Sequence, residues 1–109
     1  MTEKKAAFGN NFTPEQRAVA LKRATEMRAA RAEYLGRVKS GDVSIADALK
    51  AGKGDPIVGR IRAKRLLMAL PGVGAAKAQN AMTAIGISET RRVAGIGQRQ
   101  AEKLIELFG

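Results

Sequence analysis

Two short stretches carry the residue types most suited to holding an anion. Gly72-Val73-Gly74 and Gly95-Ile96-Gly97 share the form Gly–apolar–Gly, and their glycines recur 23 residues apart. Each is followed four residues after its second glycine by an alanine, Ala78 or Ala101. A glycine lets the chain turn tightly and approach a surface closely. The apolar residue between the glycines can anchor the turn in a core. The amide N–H groups at the head of the next helix then point outward, where they and the helix dipole attract an anion. Such a device grips phosphate and reads no base. One Gly-x-Gly alone also serves as a plain packing turn. Two copies, with bases close by, argue for binding. Pro71, Gly72, Val73, Gly74, Ala75 and Lys77 form the first candidate site; Arg91, Arg92, Gly95, Gly97, Gln98, Arg99 and Lys103 form the second.

The rest of the chain supplies more positive charge. It has 20 Lys and Arg against 10 Asp and Glu, a formal charge of +10. An excess of that size repels itself in the free protein and calls for a polyanion. Arg60, Arg62, Lys64 and Arg65 fall within six residues that hold no acid. Arg28 and Arg31 belong to a basic edge described below. The chain has no Cys and no His. That excludes a disulfide framework, a thiol nucleophile, a Cys/His zinc site and imidazole acid–base chemistry. No cofactor is implied. No apolar run is long enough for a secretory signal or a membrane span, so a cytoplasmic location is expected. The aromatic residues, Phe8, Phe12, Tyr34 and Phe108, are too scattered for a single-strand stacking platform, which favours duplex.

The elements that must position these residues read as helices throughout. Residues 1–12 form a flexible lead-in. Thr13-Pro14-Glu15-Gln16 starts a helix, with Thr13 as cap, Pro14 at the first helical position and Gln16 completing a capping box. The helix runs to Lys39 and stops at Ser40-Gly41. At 100° per residue Arg17, Arg28, Arg31 and Lys39 fall within an arc of about 80°, whereas Glu15, Glu26 and Glu33 cluster on roughly the opposite side. A thin apolar stripe of Ala20, Ala24, Met27, Tyr34 and Val38 lies beside the basic edge. The expectation is a helix docked along one side that offers Arg from another. A short helix follows from Ser44 to Lys50, and a turn-rich link, Gly52-Lys53-Gly54, leads to a helical start at Asp55-Pro56. A break is expected at 61–63, then a helix over 64–70. The end reads as helix over 75–85, linker, and helix over 98–108. Nothing alternates over enough residues to make a strand. The fold class is all-α, divided as a lead-in (1–12), a basic helix (13–40) and a helical domain (41–109).

Leu70-Pro71-Gly72-Val73-Gly74 followed by Ala78 resembles the helix-hairpin-helix class of backbone-binding motif. The longer run over 70–108, through Ile85-Gly86-Ile87, Arg91-Arg92-Val93 and Gly95-Ile96-Gly97, resembles the helix-two-turns-helix unit of a ribosomal small-subunit protein and of DNA glycosylases. From Thr13 to Phe108 the chain is similar to the actinobacterial integration host factors. The carrying stretches are Thr13-Pro14-Glu15-Gln16-Arg17, Leu66-Leu67-Met68-Ala69-Leu70-Pro71-Gly72-Val73-Gly74, Lys77-Ala78, and Thr90-Arg91-Arg92 with Gly95-Ile96-Gly97-Gln98-Arg99-Gln100. The resemblance implies a monomeric nucleoid-associated protein that binds duplex DNA with little sequence preference, bends or constrains it, and affects supercoiling, compaction and transcription. An RNA-binding, ribosome-associated role using the same turns stays open, because composition does not separate DNA from RNA. An enzyme and a membrane-surface helix are the weaker alternatives. The acids of the first helix are a solvated stripe, and its apolar side lacks the Trp, Phe and Leu of interfacial helices.

Overall fold

The structure is a computed structural model and describes residues 13–109. The lead-in expected at 1–12 lies outside the described residues. The elements in chain order are α1 (Pro14–Ser40), α2 (Ile45–Ala51), α3 (Pro56–Gly59), α4 (Ala63–Ala69), α5 (Ala75–Ile85), a 3-10 turn η1 (Val93–Gly95) and α6 (Gln98–Phe108). The described residues are thus all-helical, as the residue pattern predicts.

Local signals explain where the first helices begin. The Thr13 hydroxyl accepts from the Gln16 N–H, and the Gln16 side-chain oxygen accepts from the Thr13 N–H, closing the capping box. Ser44 caps α2 by accepting from the Asp47 N–H, and Asp55 caps α3 by accepting from the Ile57 N–H. Gly41, in the left-handed region at φ 90°, ends α1. The break expected near residue 61 is real: α3 ends at Gly59 and α4 starts at Ala63. No side chain caps α4; the Arg91 carbonyl accepts from the Ala63 N–H instead, at 2.9 Å.

One apolar core is built from every element. Val38 of α1, Ile45 and Leu49 of α2, Val58, Ile61, Leu66 and Leu67, Met82 of α5, Val93, Ile96 and Leu104 of α6 are all buried in it. α1 packs on α3 and α4, α2 on α3 and α6, and α5 on α4 and α6. Tyr34 closes the edge of this core. Burial first, then the nearby charges of Asp47 and Asp55, hold its phenol above the ordinary pKa, against an opposing pull from Arg37.

The docking of α1 differs from the expectation in one respect. Only its second half packs. Residues 14–23 are exposed all round, with Val19 54% and Leu21 62% accessible, and the first half-buried position is Ala24. The stripe over the first turns is mainly Ala and buries too little area to dock. The described residues accordingly span 57 × 27 × 25 Å, with a radius of gyration of 17.3 Å. A compact domain of 100 residues has a radius of about 13 Å.

The sequence also conceals one pairing. The linkers 60–62 and 91–93 meet in an isolated antiparallel bridge, Arg62 opposite Arg92. The Val93 N–H donates to the Ile61 carbonyl at 2.9 Å, the partner of the Ala63–Arg91 bond. The α2–α3 turn presses on the far side of η1. A Cβ on Gly59 would stand 2.7 Å from the Gly52 carbonyl oxygen and 3.1 Å from Ala94, and one on Gly52 would stand 2.4 Å from Val93. Gly59→Ala should therefore cost about 1–3 kcal/mol, since backbone must shift. Gly36→Ala, with nothing within 4 Å of its Cβ, should gain about 0.5–1 kcal/mol in a helix interior. Urea titration of the two variants separates close approach from helix propensity.

Candidate nucleic-acid interface

The two Gly–apolar–Gly turns do anchor in the core. Val73 is 9% and Ile96 1% accessible, while Gly72, Gly74, Gly95 and Gly97 are exposed. Their backbones are not copies of one another, contrary to the expectation of one device used twice. In the first, the Val73 N–H donates to the Leu70 carbonyl at 3.1 Å, with Pro71 and then Gly72 between them. Gly72 takes φ 76°, so this is a type II turn, and only glycine suits its third position well. The second is a 3-10 turn with no residue in the left-handed region. A Cβ on Gly95 would meet the Arg91 side chain at 2.9 Å, so packing rather than backbone angle makes that glycine fit.

The difference decides how many amides are available. Among the described residues, no acceptor is found for the N–H groups of Gly72 and Gly74. Gly74 is the N-cap of α5 and brings no side-chain cap, so the first amides of that eleven-residue helix, Ala75 to Lys77, stay open as well. In the second turn the Gly95 N–H donates to the Arg92 carbonyl and the Ile96 N–H to the Val93 carbonyl. The Gly97 N–H donates to the Gln100 side-chain oxygen at 2.9 Å. The expectation of outward amides at Gly95 and Gly97 is thus corrected. The donors left at that turn are the N–H groups of Gln98, Arg99 and Gln100 at the head of α6. By contrast α1, α2 and α3 all start under a hydroxyl or carboxylate cap. The two longer helices of the C-terminal half start on glycine.

Side chains hold the second turn from behind. The Lys53 ammonium donates to the Ile96 carbonyl at 2.7 Å and to the Ala94 carbonyl at 3.2 Å. The Arg91 guanidinium donates to the Gly95 carbonyl at 2.7 Å. Three successive carbonyls are therefore covered by two cations. Arg91 is in part turned inward, a supporting role that its place in a basic pair does not reveal. Gln100 also donates to the Gly86 carbonyl at 3.1 Å, joining the end of α5 to the start of α6. The sequence gives little signal for Lys53, which stands 41 residues from Ala94 in a glycine-rich turn.

The bridge between linkers gathers arginines from three parts of the chain. Arg31, Arg60, Ile61, Arg62, Arg65 and Arg92 line a cleft of about 340 Å³, and no acid lines it. Arg92 reaches over the bridge to the Arg60 carbonyl, at 3.5 Å. Arg28 lies one turn before Arg31 and is exposed, outside the cleft lining, and the half-buried Lys64 also lies outside it. Lys77 and Arg99 are exposed on the first turns of α5 and α6, and Lys103 is exposed further along α6. No group of three or more acidic residues suited to a metal ion occurs among the described residues. No helix among them is long and apolar enough to cross a membrane.

These features define a helix-two-turns-helix protein. Residues 38–108 match the S13-like H2TH domain family. The chain is 45% identical over 98 residues to the integration host factor of Mycobacterium tuberculosis, covering 90% of this chain and 93% of that protein. It is 42% identical to the integration host factor of Streptomyces coelicolor, covering 90% and 92%. A solved structure described as sIHF bound to an 8-base-pair palindromic DNA superposes with a TM-score of 0.78 at 38% identity, over 81% of this chain and 99% of that one. The chain belongs to the family of actinobacterial integration host factors.

Lys53→Met should loosen the second turn without unfolding the core. Hydrogen bonds from a charged donor are worth about 1.5–3 kcal/mol, with the lower end apt for this partly exposed lysine. Amide exchange at Gly95 and Ile96 should speed up about tenfold, and exchange at Met82 should not change. Equal exchange at all three sites in the variant and the parent would deny Lys53 this role.

Proposed function

We propose that this protein is a nucleoid-associated DNA-binding protein. It grips the phosphate backbone of duplex DNA with little sequence preference and constrains or bends the duplex, and through that affects supercoiling, compaction and transcription. It acts as a monomer and catalyses no reaction. The observation that carries this reading is the Pro71–Lys77 turn. Its unspent amides face solvent at the head of a helix, in a fold whose relative was solved with DNA bound.

Phosphate oxygens would accept from the amides of Gly72, Gly74 and Ala75, with Lys77 reinforcing the grip. Gln98, Arg99 and Lys103 would serve a second stretch of backbone. The cleft arginines and Arg28 would reach the flanks. Contacts on separate surfaces favour a bent duplex, because bending brings more phosphate to the protein. Bending a 20–30 base-pair site by 40–90° costs on the order of 1–6 kcal/mol, which several charge-assisted contacts offset. The likeness to an S13-like domain keeps duplex RNA as the competitor to test.

Two experiments test the reading. With about six phosphates neutralised, log K should fall against log salt with a slope of about −5. A flat salt response would remove the mechanism. Gly74→Asp is the sharper variant. Gly74 has ordinary backbone angles and open space around its Cβ, and aspartate is a better N-cap than glycine by a few tenths of a kcal/mol. The variant should fold at least as well as the parent, cap its own amides and lose duplex affinity tenfold or more. Undiminished affinity would take the first turn out of the interface. Equal competition by duplex RNA of the same length would favour the RNA reading.

A further inference from the structure

The cleft between α1 and the linker bridge has more positive charge than an ordinary backbone contact uses. Five arginines, Arg31, Arg60, Arg62, Arg65 and Arg92, line one concavity of about 340 Å³. The space holds a phosphate group with room for an ester arm. An internal duplex phosphodiester bears one negative charge and is flanked by sugars on both sides, so it meets these arginines at the rim of the cleft and leaves the concavity itself empty. A phosphate with one ester or none bears up to two negative charges and enters end on.

A second observation concerns one of the arginines that line the cleft. The Arg31 Nε is buried and has no hydrogen-bond partner. Buried donors in native proteins are nearly always paired, so an orphan one needs an explanation. The cause of its burial is geometric. On α1 Arg31 projects between Ala20 and Ala24 of the stripe in angle, so docking of the helix carries its stem inward. The planar fork of a guanidinium matches the oxygens of a phosphate two at a time. We propose that this cleft is a discrete site for a single phosphate group, either free phosphate or the terminal monoester of a nucleic acid end. Occupancy would tie α1 to the linker bridge, since Arg31 comes from one and Arg60, Arg62 and Arg92 from the other. The site shares Arg92 with the second turn and takes no residue of the first, and its terminal-ester form rests on the nucleic-acid reading above.

The test needs no nucleic acid at first. Thermal unfolding of the full chain is followed in inorganic phosphate, acetate and chloride at matched ionic strength. A ligand at ten times its Kd should raise the Tm of a domain of this size by several degrees, roughly 5 °C. Phosphate should give that increment over chloride, and acetate should not. Phosphate also stabilises proteins generally by exclusion from their surface, so the decisive comparison is the double variant Arg31→Met/Arg92→Gln. It should lose the increment, while Lys22→Met, remote from the cleft, should keep it. An equal increment in all three proteins, or one matched by acetate, would overturn the site. If the double variant failed to fold, broadening of the phosphorus NMR line of inorganic phosphate by the parent, absent with Arg62→Gln, would replace it as support; no broadening by the parent would overturn the site. Tighter binding of a 5′-phosphorylated than a 5′-hydroxyl duplex would assign the terminal ester as occupant, and equal binding with the Tm increment intact would assign free phosphate. Loss of duplex binding with the increment preserved would fault the DNA reading alone.

Discussion

The binding surface depends on the seam between residues 60–62 and 91–93. Ile61 and Val93 point into the core and are 1% and 0% accessible. The residues that alternate with them, Arg60, Arg62 and Arg92, must then point out, on the same side of the molecule. Burying each apolar side chain is worth about 1.5–3 kcal/mol. Two unit charges 4 Å apart in water repel by only about 1 kcal/mol. Apolar burial therefore wins, and it forces like charges together. Close contact of Gly59 with the Gly52 carbonyl holds the other side of the same seam.

The two turns divide the labour unequally. The first leaves every amide but that of Val73 unspent and brings no basic side chain of its own before Lys77. The second spends most of its amides internally and is surrounded by cations that face its carbonyls. Covering three carbonyls with Lys53 and Arg91 removes the negative end of those peptide dipoles from a region meant to face an anion. Support and attraction come from the same charges there, whereas in the first turn geometry alone prepares the site.

Helix boundaries were legible in the residues because capping is local. Thr13 with Gln16, Ser44, and Asp55-Pro56 each announce a start within four residues, and the structure uses all three. The anchoring roles of Val73 and Ile96 were legible for the same reason. What the sequence hid is non-local. Arg62 faces Arg92 from thirty residues away, and Lys53 reaches the carbonyls of a turn more than forty residues away. Neither leaves a periodic trace. The like spacing of the two glycine triplets even suggested a common backbone that the structure does not have, because spacing does not record φ. The undocked half of α1 was misjudged because a stripe of Ala has the right period and too little area.

That undocked half has a thermal consequence. Starting a helix is the costly step, and the packed turns from Ala24 onward have already taken it. The ten residues before them need only propagate, one hydrogen bond at a time, toward the Thr13 cap. Their order is therefore graded rather than all-or-none. On warming, this arm of about 15 Å should shorten turn by turn from its tip while the body below stays whole, so the span of the molecule is a continuous function of temperature.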